Sequence, residues 1–299
     1  MPAFEWQFTL VLVTNGVMIG LMYALIALGF VLIYKATDAI NFAQGEFVMF
    51  AGFIAAAAAN AVGMGFWASA AVAIAGMIAL GFGLERVVLR PLIGQPIIAV
   101  VMATIGLAAV LRGGAVIMFG AGTQAIVMPI GDTPLYLGPV MLPPVQLVGA
   151  GVSIVFLAAF TWFFLKSRIG IAMRAVADSQ QVAMAMGINV RRYFALAWAM
   201  AGVVSALGGI VWGAMLGVDN QLALVGLKVF PVVILGGLDS VLGAVVGGLI
   251  VGLVENLAAG YLDPYVGGGT KDFAPYVLMI AALMLRPEGM FGRRRIERV

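Results

Sequence analysis

The stretch KSRIGIAMRAVADSQQVAMAMGINVRR, Lys166 to Arg192, decides the fold. It carries five of the sixteen Lys and Arg residues of the chain and one acid, Asp178. On both sides the sequence is apolar for the width of a membrane. A polar island between two such walls is a loop between membrane helices. Inside it lies a short helix signal, Ser179 to Met186, about two turns long. Asp178 is expected to cap its start, with Gln181 three residues on completing a capping box. Gly187 is expected to end it in the left-handed conformation. Val182, Ala183 and Met186 fall on one face at helical spacing. Such a helix is marginal alone and wants a partner surface. By pattern alone an ordinary basic loop that fixes topology fits equally well.

Composition extends this reading to the whole chain. Of 299 residues 64% are hydrophobic and only 10% charged, which no soluble domain of this size hides. Mean hydropathy is +1.13. Apolar runs of about twenty residues recur, which predicts helices rather than the alternating strands of a porin-type barrel. The net charge of +3 sits in loops and at the end of the chain, as the positive-inside rule expects, and is no nucleic-acid signal. There is no Cys and no His, so disulfides, thiol chemistry, the usual zinc sites and imidazole catalysis are excluded together. No Lys or Arg precedes the first apolar run, so no signal-peptide basic region is expected there.

The spans read in order as Phe8 to Tyr34, Val48 to Ala61, Phe66 to Leu84, Ile97 to Phe119, Val145 to Leu165 and Tyr193 to Gly217. Between the first two stands the polar DAINFAQGEF, Asp38 to Phe47. The fourth span is expected to be interrupted at Arg112, Gly113 and Gly114. Gly209, Gly213 and Gly217 of the sixth suit close helix approach. After Asp219 the pattern breaks. Leu222 to Leu238 is short for a crossing and holds Lys228 and Pro231. GGLDS, Gly236 to Ser240, opens a glycine-laden span ending near Leu257, and Phe273 to Leu285 closes the series. The fold expected is an all-α polytopic membrane helix bundle of about eight or nine transmembrane segments, two of them broken or re-entrant. It forms a single membrane domain over residues 1–299. Arg86, Arg90, the island and the Arg-rich tail are placed in the cytoplasm, and the Lys/Arg-free Gly120–Pro144 connection outside.

The two broken segments are the candidates for a working interior. Asn41, Gln44 and Glu46 lie at the first; Lys228, Glu255 and Asn256 lie at or near the second. Charges at membrane depth are costly and face a cavity or a partner. Each also reads as a helix-end residue at the interface, and Lys228 as a snorkelling side chain.

Four ordered motifs resemble one family. GLMYALIALGFVLIYKATDAINFAQGEF, Gly20 to Phe47, resembles the opening signature of permease subunits of branched-chain amino acid ABC importers. RAVADSQQVAMAMGINV, Arg174 to Val190, is similar to that family's cytoplasmic coupling region. ILGGLDSVLGAVVGGLIVGLVE, Ile234 to Glu255, and LRPEGMFG, Leu285 to Gly292, are similar to its late glycine-rich segment and C-terminal motif. Met290 replaces the commoner Leu of the last motif, a conservative exchange. Motif order and the short N-terminal lead fit the smaller of the two permease types.

The resemblance implies a multi-pass protein of the cell inner membrane and its partners: a second related permease, two ATPase subunits, a periplasmic binding protein and membrane lipid. The implied substrate is a branched-chain or related hydrophobic amino acid. The implied mechanism is alternating access coupled through the cytoplasmic loop 166–192. The implied ATPase contacts there are Arg174, Ala175, Asp178, Gln181, Ala183, Gly187 and Ile188. The chain itself is then no enzyme, with no catalytic residue, cofactor or metal, in keeping with the lack of a Walker-type loop. The same fold carrying urea, amides or aromatic acids is one alternative. An ion-coupled secondary carrier is another; it calls for a buried charge pair, for which Lys228 and Glu255 are the weak case. A membrane enzyme would call for clustered ionisable groups at one membrane face, which the sequence lacks.

Overall fold

In the computed structural model, which describes residues 6–93, 95–131, 133–138 and 140–292, the apolar runs are helices. In chain order they are α1 (Trp6–Thr37), α2 (Gln44–Asn60), α3 (Phe66–Leu84), α4 (Ile97–Phe119), α5 (Pro144–Lys166), α6 (Arg168–Asp178), α7 (Gln180–Ala185), α8 (Val190–Leu216), α9 (Leu224–Gly236), α10 (Val241–Tyr261), α11 (Asp263–Val266) and α12 (Thr270–Leu285). A small antiparallel ribbon, β1 (Leu135–Leu137) and β2 (Val140–Leu142), stands between α4 and α5. The protein is an all-α polytopic membrane bundle. Six described helices, α1, α3, α4, α5, α8 and α10, are long and apolar enough to cross a membrane. The others of note are shorter: α2, α9 and α12 have 17, 13 and 16 residues. Four Arg of the tail, from Arg293 on, lie outside the described residues.

The helix ends obey local chemistry. Ser167 caps α6 by accepting from the Gly170 amide at 2.9 Å, and Ser240 caps α10 by accepting from Gly243 at 2.9 Å. Lys35 in the last turn of α1 suits the negative end of the helix dipole. Beyond α3 the chain widens through a π turn, Glu85–Leu89, and then tightens through a 3-10 turn, Arg90–Leu92, where Arg90 forks onto buried Glu85 at 2.8 and 3.2 Å.

Two corrections to the sequence reading concern helix continuity. First, α4 is unbroken through Arg112, Gly113 and Gly114. Lipid offers no partner for freed backbone groups, so the helix persists through residues that would end it in water. Second, α2 starts at Gln44 rather than Val48, so Gln44 and Glu46 belong to its first turn.

The chain divides into two compact units, and α1 and α5 each contribute an end to both. One comprises residues 28–129 and 155–227. Its centre is α8 packed on α2 and α3. Glycines set the closeness: a Cβ on Gly81 of α3 would stand 2.5 Å from the Trp198 carbonyl of α8. Gly209 lies against Val48 in the same way, the packing expected of it. Phe47 meets Trp198 edge to face at 5.8 Å. By contrast only 17% of the most apolar window of α4 is buried. The other unit comprises residues 6–27, 130–154 and 228–292. There α1 crosses α10, and α10 packs on α12. Val140 and Leu142 of the ribbon bury against Met18 and Ala150. The C-terminal motif returns to cap α9: Met290 and Phe291 donate to the Leu235 and Gly236 carbonyls at 2.8 and 3.1 Å.

Candidate translocation and coupling sites

In the first unit α1 stops at Thr37 and the chain turns through residues 38–43 without helix. Asp38 takes φ 55°, a left-handed value that Asp tolerates better than most residues. The turn is sealed by side chains. The Asn41 carbonyl oxygen accepts from the Ala43 amide at 3.1 Å, and its amide donates to Gln44 at 3.3 Å. Gln44 in turn donates to Ser205 of α8 at 3.0 Å. Thr104 of α4 accepts from the Phe42 amide at 3.2 Å. Asn41 and Gln44 are fully buried. Glu46, two residues on in the same first turn, is buried as well and pairs with Arg112 of α4. Arg112 was read from sequence only as an interruption, yet an intramembrane Arg marks a functional position by default. A separate cavity of about 220 Å³ opens beside Ala59, Asn60, Ser69 and Ile210; none of the sequence-predicted residues lines it.

In the other unit Lys228 and Glu255 are brought together, at 3.4 Å. Two residues absent from the sequence reading join them. Lys228 donates to Asp272 at 2.7 Å, and Lys271 stands 3.8 Å from Glu255. Tyr23 of α1 brings its hydroxyl to the same buried carboxylate. Asn256 is not part of the cluster; its amide donates to Gly252 of its own helix at 2.9 Å. The partners of Lys228 sit 27 and 44 residues away, beyond any local pattern.

The island folds as two helices, α6 and α7, where the sequence predicted one. Asp178 is the last residue of α6 and is not the cap of α7. Ser179 takes that role, accepting from Val182 at 3.3 Å. α6 runs on to Asp178 because Met173 and Val176 bury, which displaces the cap by one residue. Gly187 does adopt positive φ, at 80°. Its amide bonds to Met184 at 3.0 Å and that of Ile188 to Ala183 at 2.9 Å, the paired closure of a Schellman end. The expected apolar face divides: Ala183 is buried, while Val182, Met184 and Met186 are exposed. Side chains of the island reach residues of its own unit. Arg174 and Lys35 both lie over the Phe164 ring, at 5.8 and 5.0 Å, and Gln180 donates to the Ala36 carbonyl at 3.5 Å. Arg174 also donates to Leu165 at 3.1 Å. Ala175, Gln181, Ala183 and Ile188 thus all belong to one anchored element just below the end of α1.

Long apolar helices, a buried non-helical turn and paired intramembrane charges define a multi-pass membrane protein of transporter type. The model of the family described as branched-chain amino acid transport system / permease component matches residues 12–284. The chain belongs to that family. It is 31% identical over 305 residues to the high-affinity branched-chain amino acid transport system permease protein LivH of Escherichia coli, covering 95% of this chain and 96% of that one. It is 30% identical to BraD, the corresponding permease protein of Pseudomonas aeruginosa, with the same coverage. A probable branched-chain amino acid transport permease protein of Methanocaldococcus jannaschii is 26% identical, over 91% of this chain and 89% of that one.

Proposed function

We propose that the chain is the membrane permease of an ATP-driven importer for branched-chain or related hydrophobic amino acids, in the cell inner membrane. It works there with a second related permease, two ATPase subunits and a periplasmic binding protein. The chain hydrolyses nothing itself. Residues 1–299 act as one membrane domain whose loop 166–192 receives the ATPases. The observation that carries this reading is the anchored, apolar-tipped island. Val182, Met184 and Met186 stand exposed on a two-turn helix too short to persist without a partner. A groove on an ATPase supplies that partner. Movement of α6 then passes through Phe164 to Lys35 and the end of α1, beside the turn at Asn41 and Gln44. The membrane helices shift between outward- and inward-open populations in response.

The test is reconstitution in liposomes with the three partner proteins. ATP-dependent uptake of leucine, isoleucine or valine supports the reading. Uptake of urea, amides or aromatic acids instead assigns the same machine to another cargo. Uptake driven by an ion gradient without ATPases removes the reading altogether.

A further inference from the structure

Arg112 lies well inside the membrane-length helix α4 and is half exposed. It stands fifteen residues past Ile97 and seven before Phe119, roughly 22 Å and 10 Å along the helix axis. The ring of Phe119 stacks on Phe53 at 5.4 Å, and Glu46 lies seven residues below Phe53 on α2. The two charges therefore share one level. Their pairing holds the guanidinium sideways against α2, so Arg112 does not snorkel to the surface. The Glu46 side chain is 6% exposed but that of Arg112 is 50% exposed. A cation at this depth faces water or protein rather than lipid. One terminal nitrogen of the guanidinium is taken by Glu46. The rest of its fork of donors matches a carboxylate in shape and charge. On the exposed side of α4 a Cβ on Gly106 or Gly113 would meet nothing within 4 Å, and Val110 and Ile117 stand out from the same side.

We infer that Arg112 is a contact for the free α-carboxylate of an amino acid in passage, with Glu46 as the residue that positions it. The cargo class is then amino acids with an unblocked carboxylate. This rests on the transport function proposed above and adds a named contact to it.

The experiment uses the full complex in liposomes with one binding protein throughout, so that differences arise in the permease. It reads leucine uptake per ATP hydrolysed, binding-protein-stimulated hydrolysis and subunit retention. Arg112→Gln is expected to cut uptake per ATP at least tenfold while stimulated hydrolysis stays within twofold. Arg112→Lys keeps the charge and the pairing with Glu46 but loses the fork, and is expected to cut the ratio severalfold. The double variant Arg112→Gln/Glu46→Gln is expected to stay as low as Arg112→Gln. Uptake restored in the double variant makes the pair a structural one and overturns the inference. So does an unchanged ratio in Arg112→Lys, a parallel fall of hydrolysis and uptake, or loss of the second permease from the Arg112→Gln complex. A wild-type complex that imports no hydrophobic amino acid overturns the parent reading instead.

Discussion

Gly20 of α1 and Gly248 of α10 meet backbone to backbone: a Cβ on either would stand 2.6 or 2.5 Å from the carbonyl oxygen of the other. One turn away Gly16 and Gly252 repeat the contact. Two glycines four apart on each helix form a small-xxx-small crossing, which in lipid replaces the hydrophobic drive that water would supply.

Gly248→Ala is therefore expected to push the two helices apart. Overpacking of this kind costs about 1–3 kcal/mol. Thermal melting of the detergent-purified complex should show it, whereas Gly83→Ala, which meets nothing within 4 Å, should stay within about 0.5 kcal/mol of wild type. Equal melting points for the two variants would mean that the crossing is looser than described.

Ser179→Ala removes the cap of α7, at a cost of about 1 kcal/mol. Gly187→Val places a β-branched side chain at a φ of 80°, where even an unbranched residue loses roughly 1–2 kcal/mol. Neither residue belongs to the turn at Asn41 or to the ion pairs. Both changes should weaken ATPase retention or raise the ATP spent per amino acid imported, with binding-protein docking intact. Normal retention and a normal ratio in Gly187→Val would show that the island is not the coupling element.

Gln44→Met keeps the length of the side chain and deletes its amide. Asn41 and Ser205 then lose a buried partner, which costs about 1–3 kcal/mol. Melting temperature and uptake should fall together, because the turn between α1 and α2 is held by this amide. A fall in uptake at unchanged stability would instead place Gln44 directly on the route.

The Cys-free chain makes topology easy to read. A single cysteine at Met186 should resist an impermeant thiol reagent in intact cells, and one at Thr133 should react; both positions are exposed. The opposite pattern would invert the orientation drawn from the basic residues.

The helices were legible because apolar runs of membrane length have few other uses. Gly187 was legible because a glycine just past the last periodic residue is what a left-handed end requires. The cap of α7 was not, since Asp178 and Ser179 are both good caps and tertiary burial of Met173 and Val176 chose between them. The ribbon at 135–142 was missed because its apolar residues do not alternate with polar ones. Lys228 and Glu255 were legible as a candidate charge pair, but Asp272, Lys271 and Tyr23 reach them only through helix packing. Arg112 was misread because a charge beside two glycines looks like a break until the helix that continues through it is seen.

The burial of α1 has a consequence for how the protein is made. The most apolar eighteen-residue window of α1 has a mean hydropathy of 2.5, the highest among the six spanning helices, and is also the most enclosed of those windows, at 89%. Yet its partner α10 is separated from it by more than two hundred residues of chain. At usual synthesis rates of about 5–20 residues per second, roughly ten to fifty seconds pass before Gly248 follows Gly20. During that interval the face of α1 at Gly16 and Gly20 lacks its α10 partner and meets lipid or the insertion machinery instead. Its sequence must satisfy a first solvent that the finished protein no longer shows it.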